Sequence, residues 1–195
     1  RFLPVGSTGD RVKRWGLPLC VRSLGTDGKW AESCALIDEP EGKIALPGTS
    51  CPKAVHPNSD GVGYYRWSLP ADQLRNLVKQ LRTLTPGERI SLQNAVRAGF
   101  AAGSLPFAAA LAAAEPLAKD EEPSVADAPS GFLSLAHDHL VEPAARARVH
   151  ARLVALYRPV LDAVGAQPKT KEDPRVRERR TMAWGMLAEA EDPRA

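Results

Sequence analysis

The spacing of apolar residues changes period near Leu69, and that change divides the chain into two kinds of structure. Upstream, short runs of strand-forming residues are cut by Gly, Pro and Asn/Asp turns. Trp15-Gly-Leu-Pro-Leu-Cys-Val-Arg22 reads as an extended stretch. Cys34–Ile37 and Lys43–Leu46, separated by Asp38-Glu-Pro-Glu-Gly42, read as a hairpin with a five-residue loop. Asn58-Ser-Asp-Gly61 marks a turn, followed by Gly63-Tyr64-Tyr65-Arg66-Trp67. As a strand, that segment places Tyr65 and Trp67 on one face, with Tyr64 and Arg66 on the other. Turns recurring along the segment predict an antiparallel β-sandwich over residues 1–69.

Beyond Leu69 the period is helical. Pro70 suits a first helical position, and Leu74, Leu77, Val78 and Leu81 form one apolar stripe. Thr85-Pro-Gly-Glu88 spells a capping box with proline in the first turn. The alanine-rich stretch through Leu117 follows a break at Gly103-Ser104. A helix over Val125–Val141 is expected to be distorted near Pro129 and Gly131. Pro143 opens a long helix closed by Gly165, and Asp173-Pro174 caps the last. Short connectors between these helices predict antiparallel neighbours and a solenoid-like, HEAT-like α-helical array over residues 70–195. The fold class expected is mixed: a sandwich, then helices.

Charge excludes little but favours no polyanion. The chain carries 26 Lys and Arg against 23 Asp and Glu, a net charge of +3. The densest basic stretch, Arg175 to Arg180, is interleaved with Glu178 and preceded by Glu172 and Asp173. That pattern is a solvated helix face rather than a nucleic-acid footprint. No apolar run reaches membrane-spanning length. The three cysteines, Cys20, Cys34 and Cys51, match no structural zinc spacing. Two readings stand for them: a Cys34–Cys51 disulfide flanking the hairpin, or three strand thiols acting as small apolar residues.

Catalytic signatures are missing throughout. His137 and His139 lie at i and i+2, which face different sides of a helix and do not converge on a metal. They read as surface residues, and neither His56 nor His150 has a partner at a useful spacing. Gly61-Val-Gly63 precedes an aromatic segment rather than a helix, so it is a turn and not a phosphate cradle. There is no G-x-S-x-G, and no carboxylate pair stands out as an acid–base couple. No catalytic residue and no metal ligand is assigned.

The segment Asp60-Gly-Val-Gly-Tyr-Tyr-Arg-Trp67 resembles the G-x-G-Y-Y-R-V strand of zinc aminopeptidases of the aminopeptidase N and puromycin-sensitive type. Leu84-Thr-Pro-Gly-Glu-Arg89 is similar to the segment that opens that family's next helix. The stretch from Asn94 to Gly103 is similar to its following helix, Trp15-Gly-Leu-Pro-Leu19 to one of its strands, and Arg1-Phe-Leu3 to an earlier strand. The family's G-x-M-E-N motif, its H-E-x-x-H and its downstream glutamate are not in the chain.

The resemblance implies a C-terminal, non-catalytic portion of such an enzyme, with no cofactor of its own and with zinc in the parent protein. It implies a sandwich domain lacking its first strands, and then the opening helices of an incomplete domain that covers the active-site cleft. Gly63, Tyr64, Tyr65, Arg66 and Trp67 are the expected structural and interdomain residues. The implied partners are the catalytic domain of the same polypeptide and, in the parent, a peptide substrate. Neither nucleic acid nor membrane is expected, and exposed sandwich edges are expected to favour self-association. The competing readings are a stand-alone peptide- or protein-binding module and a non-catalytic scaffold homologue. Compartment is left open.

Overall fold

The structure is a computed structural model and describes residues 16–195. The expected strand at Arg1–Leu3 therefore lies outside the described residues. A small antiparallel sheet comes first, and helices follow it. The chain forms two compact units, one running to Ala110 and the other from Leu111 to Ala195.

In the first unit β1 (Leu17–Leu24), β2 (Trp30–Ile37) and β3 (Ala54–His56) form a three-stranded sheet in the order β2-β1-β3. Both pairings are antiparallel, with Cys20 opposite Cys34, Arg22 opposite Glu32, and Arg22 also opposite His56. The β1–β2 turn is built on Thr26-Asp27-Gly28. Gly28 has φ of 82°, Gly25 N–H donates to Lys29 O at 2.9 Å, and Asp27 Oδ1 accepts from Lys29 N–H at 3.1 Å. This corrects the expected hairpin: Cys34–Ile37 pairs with β1, and Lys43–Leu46 forms no strand.

The β1–β2 register also decides the cysteine chemistry. Cys20 and Cys34 sit directly opposite, 4.1 Å apart at Cα, and are joined in a disulfide, while Cys51 is a free, exposed thiol. Neither cysteine reading from the sequence matches this arrangement. It depends on a pairing that the wrong hairpin had concealed.

Gly63–Trp67 is likewise not a strand, but a bend followed by irregular backbone. Its inside–outside alternation is kept, with Trp67 buried, Tyr65 half-buried, and Tyr64 and Arg66 exposed. Its backbone finds no ladder partner because the Asn58 side chain takes the groups a ladder would use. Gly63 N–H donates to Asn58 Oδ1 at 2.8 Å, and Asn58 Nδ2 donates to Gly63 O at 2.9 Å.

Helices α1 (Ala71–Val78) and α2 (Pro86–Ala101) complete the core of this unit, burying Leu74, Leu77, Leu92 and Val96 with Val21 and Leu24 of β1. The Thr85–Glu88 capping box forms with both of its hydrogen bonds. Helix α3 (Phe107–Ala114) follows.

In the second unit the stretch expected as one distorted helix is broken into α4 (Pro123–Ala126), α5 (Ser130–Leu135) and a π-helical turn, Ala136–Leu140. Pro129 interrupts the ladder by lacking an N–H. The long α6 (Arg146–Val164) and α7 (Pro174–Glu189) pack against each other and bury Leu153, Tyr157, Val160 and Leu187. Asp173 caps α7 by accepting from Arg175 N–H at 2.8 Å. Arg180 of α7 closes α6: its Nε donates to Gly165 O at 2.6 Å and its Nη2 to Val164 O at 3.1 Å. The same guanidinium pairs with Glu172, and both side chains are almost wholly buried. Among the described residues, no helix is long and apolar enough to cross a membrane.

Candidate functional site: the sheet–helix junction

The densest concentration of buried polar groups lies where β1 and β3 meet the first turn of α2. Three segments far apart in sequence supply it: Arg22, then His56 to Trp67, then Thr85 to Ser91. Glu88 is its centre. Its side chain is fully buried, and Oε2 accepts from Arg22 Nη1 at 2.6 Å and from Thr85 N–H at 2.9 Å. Its backbone O lies 3.0 Å from His56 Nε2, which fits the neutral tautomer carrying its proton there. His56 Nδ1 then accepts from Asn58 N–H at 3.2 Å. Burial pushes the His56 imidazole below its ordinary pKa, partly opposed by the nearby Glu88 carboxylate. The edge of the His56 ring meets Trp67, with centroids 5.2 Å apart.

Around this core the chain is tied by side chains. Trp67 Nε1 donates to Ser91 Oγ at 2.9 Å, and Asn58 Nδ2 also reaches Ser91 Oγ at 3.2 Å. Tyr65 Oη donates to Pro57 O at 2.8 Å, and burial raises its phenol pKa. Gly61 and Gly87 bring two backbones into direct contact. A Cβ on Gly61 would strike the Gly87 carbonyl, and one on Gly87 would strike the Asp60 carbonyl.

The five residues singled out from the sequence divide between two environments. Gly63, Tyr65 and Trp67 belong to the network just described. Tyr64 is fully exposed and Arg66 is exposed, and among the described residues Arg66 has no hydrogen bond or ion pair. Sequence reasoning missed Arg22, His56, Asn58, Glu88 and Ser91 as members of one cluster. By spacing alone His56 has no partner, yet it lies in β3 and is fully buried. His150 was also read as solitary, yet its ring stacks on His137 at 5.1 Å, and His137 Nδ1 lies 2.8 Å from Asp138.

The junction is closed. The side chains of Arg22, His56, Asn58, Tyr65, Trp67 and Ser91 each meet a protein partner, while Glu88 Oε1 is buried without a hydrogen bond. The cavity beside it, lined by Trp67, Leu74, Val96 and Gly99, holds about 30 Å³, room for a single water. Such a cluster binds strands to a helix and fixes the course of Asn58–Trp67. It offers no place for a substrate.

A zinc of the kind the resembling enzymes use does not fit here. Among the described residues, one group of three His, Cys, Asp or Glu donors comes within 4.8 Å of one another: Cys20, Glu32 and Cys34. Two of its members are joined as a disulfide. No helix carries the paired histidines of an H-E-x-x-H motif.

The family model described as ERAP1-like C-terminal domain matches residues 54–195. It begins at the first residue of β3 and takes in His56, Asn58, Trp67 and Glu88. A search of curated proteins found no match.

Proposed function

Since the chain belongs to the family of ERAP1-like C-terminal domains, which are parts of M1 aminopeptidases of the ERAP1 type, we propose that it is the non-catalytic C-terminal portion of such an enzyme. The observation that carries this reading is the match over 54–195, which covers most of the chain. The absence of H-E-x-x-H and G-x-M-E-N supports a non-catalytic role for this portion.

In this reading strands β1, β2 and β3 belong to a β-sandwich spacer. Residues 70–195 belong to a solenoid-like helical cover over the active-site cleft. The three-stranded sheet and the helices that follow supply elements of both. The Arg22–Glu88–His56 cluster is the joint that holds the last strand to the first capped helix. Gly63–Trp67 is the interdomain segment: Tyr65 and Trp67 anchor it, while Tyr64 and Arg66 stay free for the catalytic domain of the same polypeptide. That domain would hold the zinc, which polarises the scissile carbonyl and activates water when N-terminal residues are removed from a peptide.

Two experiments test the proposal. The coding sequence upstream of Arg1 is expected to carry H-E-x-x-H in frame. A reading frame without it overturns the parentage and favours a stand-alone binding module. The purified chain is expected to hydrolyse no aminoacyl chromogenic substrate, with or without added zinc. Zinc-dependent turnover by the chain alone overturns its non-catalytic role.

A further inference from the structure

We propose that the β1–β2 hairpin carries a redox-gated metal site, made of the Cys20 and Cys34 thiolates and the Glu32 carboxylate. The oxidised chain closes this site as a disulfide, and reduction opens it to a thiophilic divalent cation such as Zn²⁺.

The register supplies the geometry. Cys20 and Cys34 are directly opposite on neighbouring strands, so both side chains leave the same face of the sheet. Glu32 lies two residues before Cys34 on β2 and projects from that face as well. One ligand atom from each of the three falls within 4.8 Å of the others. Two thiolates on one zinc, with bonds of about 2.3 Å, stand about 3.8 Å apart at tetrahedral angles. Opposed side chains reach that spacing by turning about χ1, with the sheet left in register.

Glu32 is available in a way its neighbours are not. It stands opposite Arg22, the natural cross-strand partner for a carboxylate. Arg22 instead gives its guanidinium to Glu88. What holds Glu32 is the Ser59 hydroxyl, which donates to Oε2. A ligating carboxylate oriented by a hydrogen bond to one oxygen, with its other oxygen left for the ion, is the usual arrangement around bound metals. Glu32 and Cys34 are exposed, so ions and reductant have access.

The gate is chemically complete. A dithiol reductant gives two electrons and two protons to the disulfide. The S–S bond breaks, two thiols form, and the reductant leaves as its own disulfide. Metal binding then displaces both thiol protons. Three protein ligands leave a fourth position for water or another small ligand. Cys51 takes no part.

Cobalt titration of the full 195-residue chain tests the site. The chain is reduced with a dithiol and desalted without oxygen, and circular dichroism checks that sheet and helix persist. The reduced chain is expected to bind one Co²⁺, with thiolate-to-cobalt charge-transfer absorption and tetrahedral visible bands that Zn²⁺ abolishes. The oxidised chain is expected to show neither. Cys20→Ser/Cys34→Ser should lose the signal. Glu32→Gln should weaken binding about tenfold or more, Ser59→Ala should weaken it about tenfold, and Cys51→Ser should change nothing. A reduced chain that loses its sheet or binds no cobalt overturns the proposal. So does equal binding by the double serine variant, or loss of the signal in Cys51→Ser.

Discussion

Arg22 of β1 donates to Glu88 of α2 across 2.6 Å, and the Glu88 side chain is wholly shielded from water. The same Oε2 closes the capping box at Thr85. One carboxylate oxygen therefore both starts the helix and fastens it to the sheet. Removing Arg22 leaves a buried carboxylate without its counter-charge. Arg22→Met is expected to destabilise the fold by about 3–5 kcal/mol. Adding Glu88→Gln should recover part of that loss, because Gln keeps the capping geometry and carries no charge. Urea unfolding of both variants checks this. A single variant as stable as the parent would show that the pair contributes little.

Gly61 and Gly87 touch backbone to backbone, and Gly61 also needs φ of 70°. Gly87→Ala is expected to cost about 1–3 kcal/mol through overpacking. Gly61→Ala should cost about 1 kcal/mol more, because its conformation disfavours a Cβ. Gly131, in α5, has open space where its Cβ would stand, so Gly131→Ala should be neutral or stabilise by up to about 1 kcal/mol. Thermal unfolding should find Gly131→Ala the most stable of the three, Gly87→Ala next and Gly61→Ala the least stable.

Local signals in the sequence were legible where one segment decides the outcome. Helix α1 begins at Ala71, where the apolar spacing turns helical, because an apolar stripe reports its own helix. The Thr85–Glu88 box was readable for the same reason: both of its hydrogen bonds lie within one turn. Pairing between segments was not readable. Two Gly-containing loops competed to make the hairpin, and Asp27-Gly28, the stronger turn pair, prevailed over Asp38–Gly42. The disulfide followed from that register. The Arg22, His56 and Glu88 cluster joins residues 66 and 32 positions apart, and no period encodes such separations. Gly63–Trp67 kept its alternation but lost its ladder to one asparagine side chain.

Arg180 fills three roles in the second unit. It accompanies α7, pairs with Glu172, and donates to the last carbonyls of α6. Arg180→Met keeps the apolar stem and loses all of these bonds. It leaves Glu172 buried without its partner and α6 uncapped. A lower melting temperature is expected, with faster amide exchange in the last turn of α6 and in α7. Arg180→Lys should not restore protection, because a single ammonium cannot reproduce the fork of donors. Unchanged exchange in the Met variant would assign the α6 closure to packing alone.

Strand β2 pairs on one side only among the described residues, and Leu36 near its end is 65 % exposed. Open edges recruit strands, so the chain is expected to self-associate at high concentration. Leu36→Lys should shift sedimentation toward the monomer. A strict monomer at high concentration in the unmodified chain would count against the edge.

His56 sets the expected pH response. Burial lowers its pKa from an ordinary value of 6.5, so the folded chain holds a neutral imidazole where the unfolded chain takes up a proton. The unfolded state then binds more protons, and stability rises with pH across that window. Stability is complete above about pH 6.5 and falls as pH drops toward the folded pKa. Carboxylates behave alike at lower pH. Asp192 and Glu172 are held below their ordinary values of 3.8 and 4.5, Asp192 by the Arg194 backbone and by Arg158, and Glu172 by Arg180. Their contributions are lost only in that more acidic range. The two windows are separable. Urea midpoints measured from pH 7.5 down to about 5 should fall for the unmodified chain. The same series should be flat for His56→Asn, which keeps a polar side chain and does not titrate. An equal slope in both proteins would move the origin of the pH dependence away from His56.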